Sequence, residues 1–348
     1  MIWLAWRQFR TAVVALSVLV VAFLVAIALT GPHIAHLYKA SGVAHCASPD
    51  DCDRARGTFF AALKTGSTPV LYFTAIAVLY VLPALVGLFW GAPLAAREAE
   101  GGTFRLVWTQ SVTRRRWLGV KLGVGVAAAM VMSGILSQAV AWWSSPIDKA
   151  AQLPGGAVDA LPNHFSPVVF GARGVVPVAV AVFGFVLGVA AGLLLRRTLP
   201  ALAATLLVLV TVQAVVPMTV RQHFATPDRI TEPLLVASQP GLQLQVQDTK
   251  LAVRMPVDVP GGWVTAIHLA DAAGAPFRGT APQACQGVTS SPQSCFAAIN
   301  ALHLQQIVEY QPGNRFGRFQ GEEAGLYAVL SLALAGLCFS RIRRMRPA

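Results

Sequence analysis

Between residues 97 and 121 the sequence gathers six of its 27 basic side chains, Arg97, Arg105, Arg114, Arg115, Arg116 and Lys121, beside two acids, Glu98 and Glu100. A cluster of this kind attracts anionic lipid headgroups or the acidic face of a partner. Phe104, Val107, Trp108 and Ser111 recur at helical spacing, with Arg105, Thr109 and Gln110 on the other side. The Gly101-Gly102 break and Thr103 come just before them, so the segment reads as a short amphipathic helix shaped to sit in a partner's groove.

Bond-making chemistry has few candidates elsewhere. The sequence contains no Gly-x-x-x-x-Gly-Lys-Ser/Thr phosphate loop, no His-Glu-x-x-His pair and no Gly-x-Ser-x-Gly elbow. Its seven histidines are scattered, and His45 has no further ligands at zinc spacing. No catalytic residue and no metal or cofactor bound by this chain is expected. Cys46 with Cys52, and Cys285 with Cys295, form two close pairs, while Cys338 stands alone in an apolar run. Two local disulfides are the expected state, with free thiols as the alternative.

The elements that must carry these residues are membrane spans. The chain is 55% hydrophobic and 12% charged, and several apolar runs approach the 20 residues needed to cross hydrocarbon. Spans are expected near residues 11–29, 69–92, 122–142, 175–195, 201–220 and 324–340. The first run is too long for a cleavable signal core and lacks a well-placed small-residue cleavage site, so it reads as a retained span. Burying the six charges of 97–121 would cost about 15 to 20 kcal/mol on an insertion scale, which keeps that segment outside the bilayer. Before the first span, Trp3, Trp6 and Phe9 stand beside Arg7 and Arg10, the pattern of an interfacial helix over residues 1–10 or, equally, of an ordinary aromatic and basic flank of the span. Trp142 and Trp143 read as an interfacial pair, and Pro83 should bend span two.

Six spans put both termini on one side. Segments 1–10, 97–121, 196–198 and 341–348 hold 14 Lys/Arg and two acids; segments 30–68, 144–174 and 221–323 hold 13 of each. The whole net charge of +12 therefore falls on one face, and the positive-inside rule makes that face, with both termini, cytoplasmic. With the charge confined to short flanks of spans, nucleic-acid binding loses its support.

The other face carries polar loops at 30–68 and 144–174 and a small mixed α/β region at 221–323. Residues 242–247 and 251–257 read as strands, and residues 294–308 as a helix. Tyr310, Pro312, Arg315, Phe316, Phe319 and Glu322 precede span six and read as anchors where the chain re-enters the membrane surface. The spans carry essentially no ionisable groups, which disfavours an ion-coupled transporter. Ser133, Ser137 and Gln138 in span three, and Thr205, Thr211 and Gln213 in span five, are available to hydrogen-bond between helices. Gly184, Gly188 and Gly192 permit close helix approach, equally suited to packing within the chain and to pairing with a second one.

The run Ala96-Arg97-Glu98-x-Glu100-x-Gly102-Thr103-x-Arg105-Leu106-x-x-Thr109-x-x-Val112-x-Arg114-x-Arg116-Trp117-Leu118-x-x-Lys121-Leu122 resembles the signature region of ABC transporter permeases of the type 2 exporter class, particularly their actinobacterial members. The run Tyr310-Gln311-Pro312, Arg315-Phe316, Phe319-Gln320 and Glu322 is similar to that group as well. The resemblance implies a multi-pass subunit of the cell membrane whose 97–121 segment is a coupling helix on a separate ATP-binding subunit. Arg97, Glu98, Glu100, Gly102, Thr103, Arg105, Thr109, Arg114 and Arg116 would lie in or beside that contact. It further implies ATP hydrolysis on the partner, a second permease chain, homo- or heterodimeric, and substrate export by alternating access. A push on the segment is expected to pass into the flanking spans two and three. The rival expectation is a membrane-anchored sensor or binding protein working through residues 221–323. Apolar spans would suit a lipid, a hydrophobic drug or a peptide equally.

Overall fold

The computed structural model describes residues 2–100, 113–153, 161–234, 243–247, 250–254, 257, 259–277, 279–285 and 292–344. Six of its helices are long and apolar enough to cross a membrane, covering Ser17–Ala40, Thr68–Arg97, Arg115–Ala150, Val176–Leu195, Thr198–His223 and Gly313–Arg343. All six match expected spans, but most are longer than hydropathy alone marks out. This is a multi-pass membrane protein.

Helix α1 (Ile2–Ala40) is continuous through Arg10 and Pro32, so residues 2–10 run into span one as one helix. The first loop is also more ordered than its polarity suggests. Within it, α2 (Pro49–Lys64) starts at Ser48, whose hydroxyl accepts from the Asp51 N–H. Proline at its first position, Asp50 and Asp51 in its first turn and Lys64 in its last all favour a helix there. Phe59, Phe60 and Leu63 then bury its inner face. The disulfide Cys46–Cys52 ties α2 to the turn that follows α1, with Cα atoms 5.0 Å apart.

Span two comprises α3 (Thr68–Val86), a π turn at Gly87–Gly91 and α4 (Ala92–Glu100). The chain passes helically through Pro83 and widens four residues later, where the Ala92 N–H reaches the Gly87 carbonyl. Pro93 has no N–H and its ring crowds the carbonyl four residues before it; the wider turn relieves that clash. Span three is α5 (Arg114–Ala150), capped by the Thr113 hydroxyl, which accepts from the Arg116 N–H. Trp142 and Trp143 part company: Trp142 is 56% exposed, whereas Trp143 is 1% exposed and donates from Nε1 to Thr30 at 2.9 Å. Adjacent residues on a helix point about 100° apart, so a tryptophan pair cannot serve one surface.

Span four, α6 (Val176–Leu195), is the most enclosed of the six, and span five is α7 (Thr198–Val215) followed by a π turn at Val216–Val220. Beyond it the chain builds a three-stranded antiparallel sheet in the order β1 (Asp228–Pro233), β5 (Gln305–Gln311), β4 (Trp263–Ala270). β2 (Gln243–Gln247) and β3 (Lys250–Arg254) pair as a separate antiparallel hairpin, close to the two expected strands. Residues 294–308 do not form one helix. Helix α8 (Pro292–Asn300) ends before His303, which has positive φ, and β5 comes next as the central strand. Ile307 therefore sits in a strand, and Val308 is buried opposite Ile230 and Ile267. Short apolar runs suit either period, and here pairing on both edges decides. The disulfide Cys285–Cys295 fastens α8, with Cα atoms 4.6 Å apart. Span six, α9 (Phe316–Arg344), begins eight residues before the apolar run at Ala324.

Candidate functional site

At the end of the bundle that carries the basic segment, three helix termini meet. Gly192 of α6 lies so close to α4 that a β-carbon there would come 2.5 Å from the Ala92 carbonyl oxygen and 3.1 Å from the Ala96 nitrogen. Ala92, Ala96, Ala191 and Ala201 close around it in a cluster of small residues. Higher up, Gly184 faces the Pro83 carbonyl at 2.7 Å by the same measure, and Gly188 faces the Gly87 carbonyl oxygen and the Ala92 nitrogen. The Gly184, Gly188 and Gly192 ladder is thus filled from within the chain, by span two. Close backbone approach of this kind is how glycine-bearing helices associate where lipid offers no hydrophobic drive.

Glu100, the last residue of α4, spans the gap to α7. Its Oε1 accepts the Thr198 N–H at 2.7 Å and its Oε2 accepts the Thr198 hydroxyl at 2.6 Å. Those two hydrogen bonds, above all the one from the hydroxyl, hold its carboxyl below the usual carboxylate range, with Arg197 and Arg97 adding to the effect. Since its value is lowered, the contact is complete at neutral pH and is lost as pH falls through that depressed value. Arg97, Arg115 and Arg116 are exposed around this end, and Glu98 and Arg114 lie on α4 and at the start of α5. Gly102, Thr103, Arg105 and Thr109 fall outside the described residues. Lys121 is buried, with its Nζ 4.4 Å from the Trp117 ring centre.

The opposite end holds a polar node that sequence reasoning missed. Arg221 and Glu323 are 0% and 2% exposed and form a bidentate pair, Nε to Oε2 at 2.7 Å and Nη2 to Oε1 at 3.1 Å. By hydropathy both are loop residues flanking spans, so the helices are less free of charge than hydropathy implies. The π turn containing Pro217 adds a residue to that turn, rotating the next residues by about 100° and carrying Arg221 inward. Its guanidinium also donates to the Pro167 carbonyl at 3.2 Å and stacks 4.2 Å from the Phe170 ring centre. Tyr80, Gln213, Tyr327 and Pro217 join the pair around a cavity of about 10 Å³, room for a single water. The one legible signal is a charge of opposite sign at the end of span five and at the start of span six; Arg318 and Glu322 nearby obscure it.

Next to this node, Gln320 caps span four. Its Oε1 accepts the Val175 and Val176 N–H groups at 3.0 and 3.1 Å, and its Nε2 donates to the Phe170 carbonyl at 3.0 Å. A β-carbon at Gly174, which has φ +62°, would come 2.6 Å from that Oε1. Gln320→Leu should therefore strand buried backbone groups and lower stability by about 1–3 kcal/mol, read as a fall in the thermal unfolding midpoint in detergent. A second polar contact, Arg173 with Asp148 at 3.4 Å, sits between α5 and the start of span four.

The six residues expected to anchor re-entry divide. Phe319 is buried and packs 5.3 Å from Phe165, and Phe316 lies 5.3 Å from Phe170, so these rings bind the protein to itself. Arg315 pairs with Asp228 at 2.7 Å, and Glu322 accepts from Arg318 at 2.7 Å. Tyr310 lies on β5 opposite Asp228, and Pro312 precedes the turn into α9. Of the span hydroxyls, Ser137 reaches across to the Gly174 carbonyl at 2.7 Å. Ser133 and Thr205 bond back to Ala129 and Ala201 of their own helices, and Gln138 is exposed.

Residues 17–221 match the ABC-2 membrane transporter related family, more than half of the chain. The chain belongs to that family. No curated protein and no solved structure matches it. The matched stretch takes in the basic segment, the glycine ladder and Thr198, and it stops at Arg221. The sheet and span six of this ABC-2 related chain lie beyond it.

Proposed function

We propose that the chain is the membrane-spanning permease subunit of an ATP-driven exporter, coupled through residues 97–121 to a separate ATP-binding subunit. The family match across residues 17–221 carries this proposal. The absence of a phosphate-loop motif from the sequence accords with ATP being hydrolysed on the partner. Charge placement supports a cytoplasmic basic end with both termini on that side and an extracytoplasmic sheet region, in the cell membrane. Two close cysteine pairs on the sheet side accord with an oxidising compartment. A second permease chain would complete the unit, and alternating access would move the substrate.

A pull-down of the chain from native membranes should bring with it an ATPase bearing a phosphate loop. Reversing Arg114 and Arg116 to Glu, or Glu98 to Lys, should weaken that capture and lower ATP turnover at least tenfold, as expected when about 1.4 kcal/mol of contact energy is lost. Membrane insertion should be unchanged, measured by recovery in the membrane fraction. Failure to capture any ATPase, with these variants silent in export, would refute the assignment. The sheet region lies outside the family match, which favours one alternative, a ligand sensor. On that reading, removing residues 228–311 abolishes a response in which ATP turnover plays no part.

A further inference from the structure

The turn between spans four and five cannot cap its own helix. Arg196 sits in the left-handed region at φ 54°, Arg197 is extended, and Arg197 makes no side-chain hydrogen bond to the start of α7. The first N–H groups of any helix lack partners within it, so one must come from elsewhere. It comes from Glu100, 98 residues earlier in sequence, whose two oxygens take both the N–H and the hydroxyl of Thr198. The bond is made at the last residue of α4, inside the 97–121 segment.

A second, independent observation lies just beneath it. Near the end of α6, Gly192 lies against the backbone of the first half of α4 at Ala92 and Ala96, with Ala191 and Ala201 packed around the contact. At Gly192 the nearest atoms of α4 are backbone atoms, and close-packed interfaces pass strain on rather than dissipate it. Ala201 brings the start of span five against the same contact.

We propose that Glu100 is a positioning residue that passes movement of the 97–121 segment into span five through Thr198, so that spans two, four and five respond as one block. This rests on the permease reading above. It differs from transmission through the two spans that flank the segment in sequence, because the receiver is a turn that the chain reaches only after two further spans. Thr198 is the informative position to change, since it belongs to the receiving helix.

The test uses the full chain with its co-purified ATPase, compared nucleotide-free and after trapping with ATP, magnesium and vanadate. The readout is hydrogen exchange of residues 198–204. In the wild type, trapping should change exchange in that turn. Thr198→Val keeps the N–H and the side-chain shape but removes the hydroxyl. It should leave ATPase capture and vanadate trapping intact, raise opening of the turn about fivefold through the loss of one hydrogen bond, and weaken its response to trapping several-fold. Thr198→Ser, which restores the hydroxyl, should restore the response. Glu100→Ala should reproduce the loss, and Glu100→Gln, which can still accept the N–H and donate to the hydroxyl, should largely avoid it. A Thr198→Val complex that responds to trapping as the wild type does overturns the proposal. A wild-type chain that captures no ATPase overturns the permease reading, and this inference falls with it.

Discussion

Glu323→Ala should be among the most damaging single substitutions in this protein, costing about 3–5 kcal/mol. The size of the effect reflects the groups left behind. Arg221 is fully enclosed, and its guanidinium is held by Glu323, the Pro167 carbonyl and the face of Phe170. Removing the carboxylate leaves a buried cation facing only dipoles and a ring in that contact set. An intact buried pair, by contrast, contributes little net stability, because desolvating two ions nearly offsets their attraction. The double variant Arg221→Met/Glu323→Leu should accordingly be more stable than either single variant. Unfolding midpoints of the purified protein in detergent separate these cases. A double variant no better than Glu323→Ala would show that the node's geometry, rather than its charge balance, sets its cost.

Gly188→Ala should also be strongly destabilising, although it adds a single methyl group. That β-carbon would meet the Gly87 carbonyl oxygen, the Ala92 nitrogen at 2.7 Å and the Gly91 carbonyl carbon at 3.0 Å. All three are backbone atoms of span two and cannot rotate away, so the helices must separate along the ladder. Overpacking of this kind costs about 1–3 kcal/mol, and Gly188→Leu should prevent folding altogether. The control lies in the same membrane: Gly134 and Gly336 have no atom within 4 Å of an added β-carbon. Gly134→Ala and Gly336→Ala should be neutral or stabilising by up to about 1 kcal/mol, since alanine favours helix. Monodispersity and yield on size exclusion in detergent distinguish the two classes. Equal loss in all three variants would mean that the ladder is not specially intolerant.

Several local features were legible because they depend on short stretches of chain. The π turns were not, since they arise where Pro93 and Pro217 meet an otherwise helical run whose fate depends on neighbours. The early start of span six escaped hydropathy because Arg318, Glu322 and Glu323 make its first turns polar, and only their partners show how those turns are accommodated. Phe316 and Phe319 have the composition of surface anchors, yet they face Phe165 and Phe170 across the fold.

Span number and the segregation of charge were determined by sequence alone, because transfer free energy and net charge are summed residue by residue along a continuous stretch. The two close cysteine pairs were legible for a similar reason, being near neighbours in the chain. Tertiary structure decided the rest. Helices apolar all round carry no stripe to say which face turns inward, so their rotation is set by what they meet. That rotation places Gly188 against Gly87, joins Arg221 to Glu323 across 102 residues, and brings Glu100 to Thr198. The basic segment announces itself in the sequence; the helix that receives its end does not.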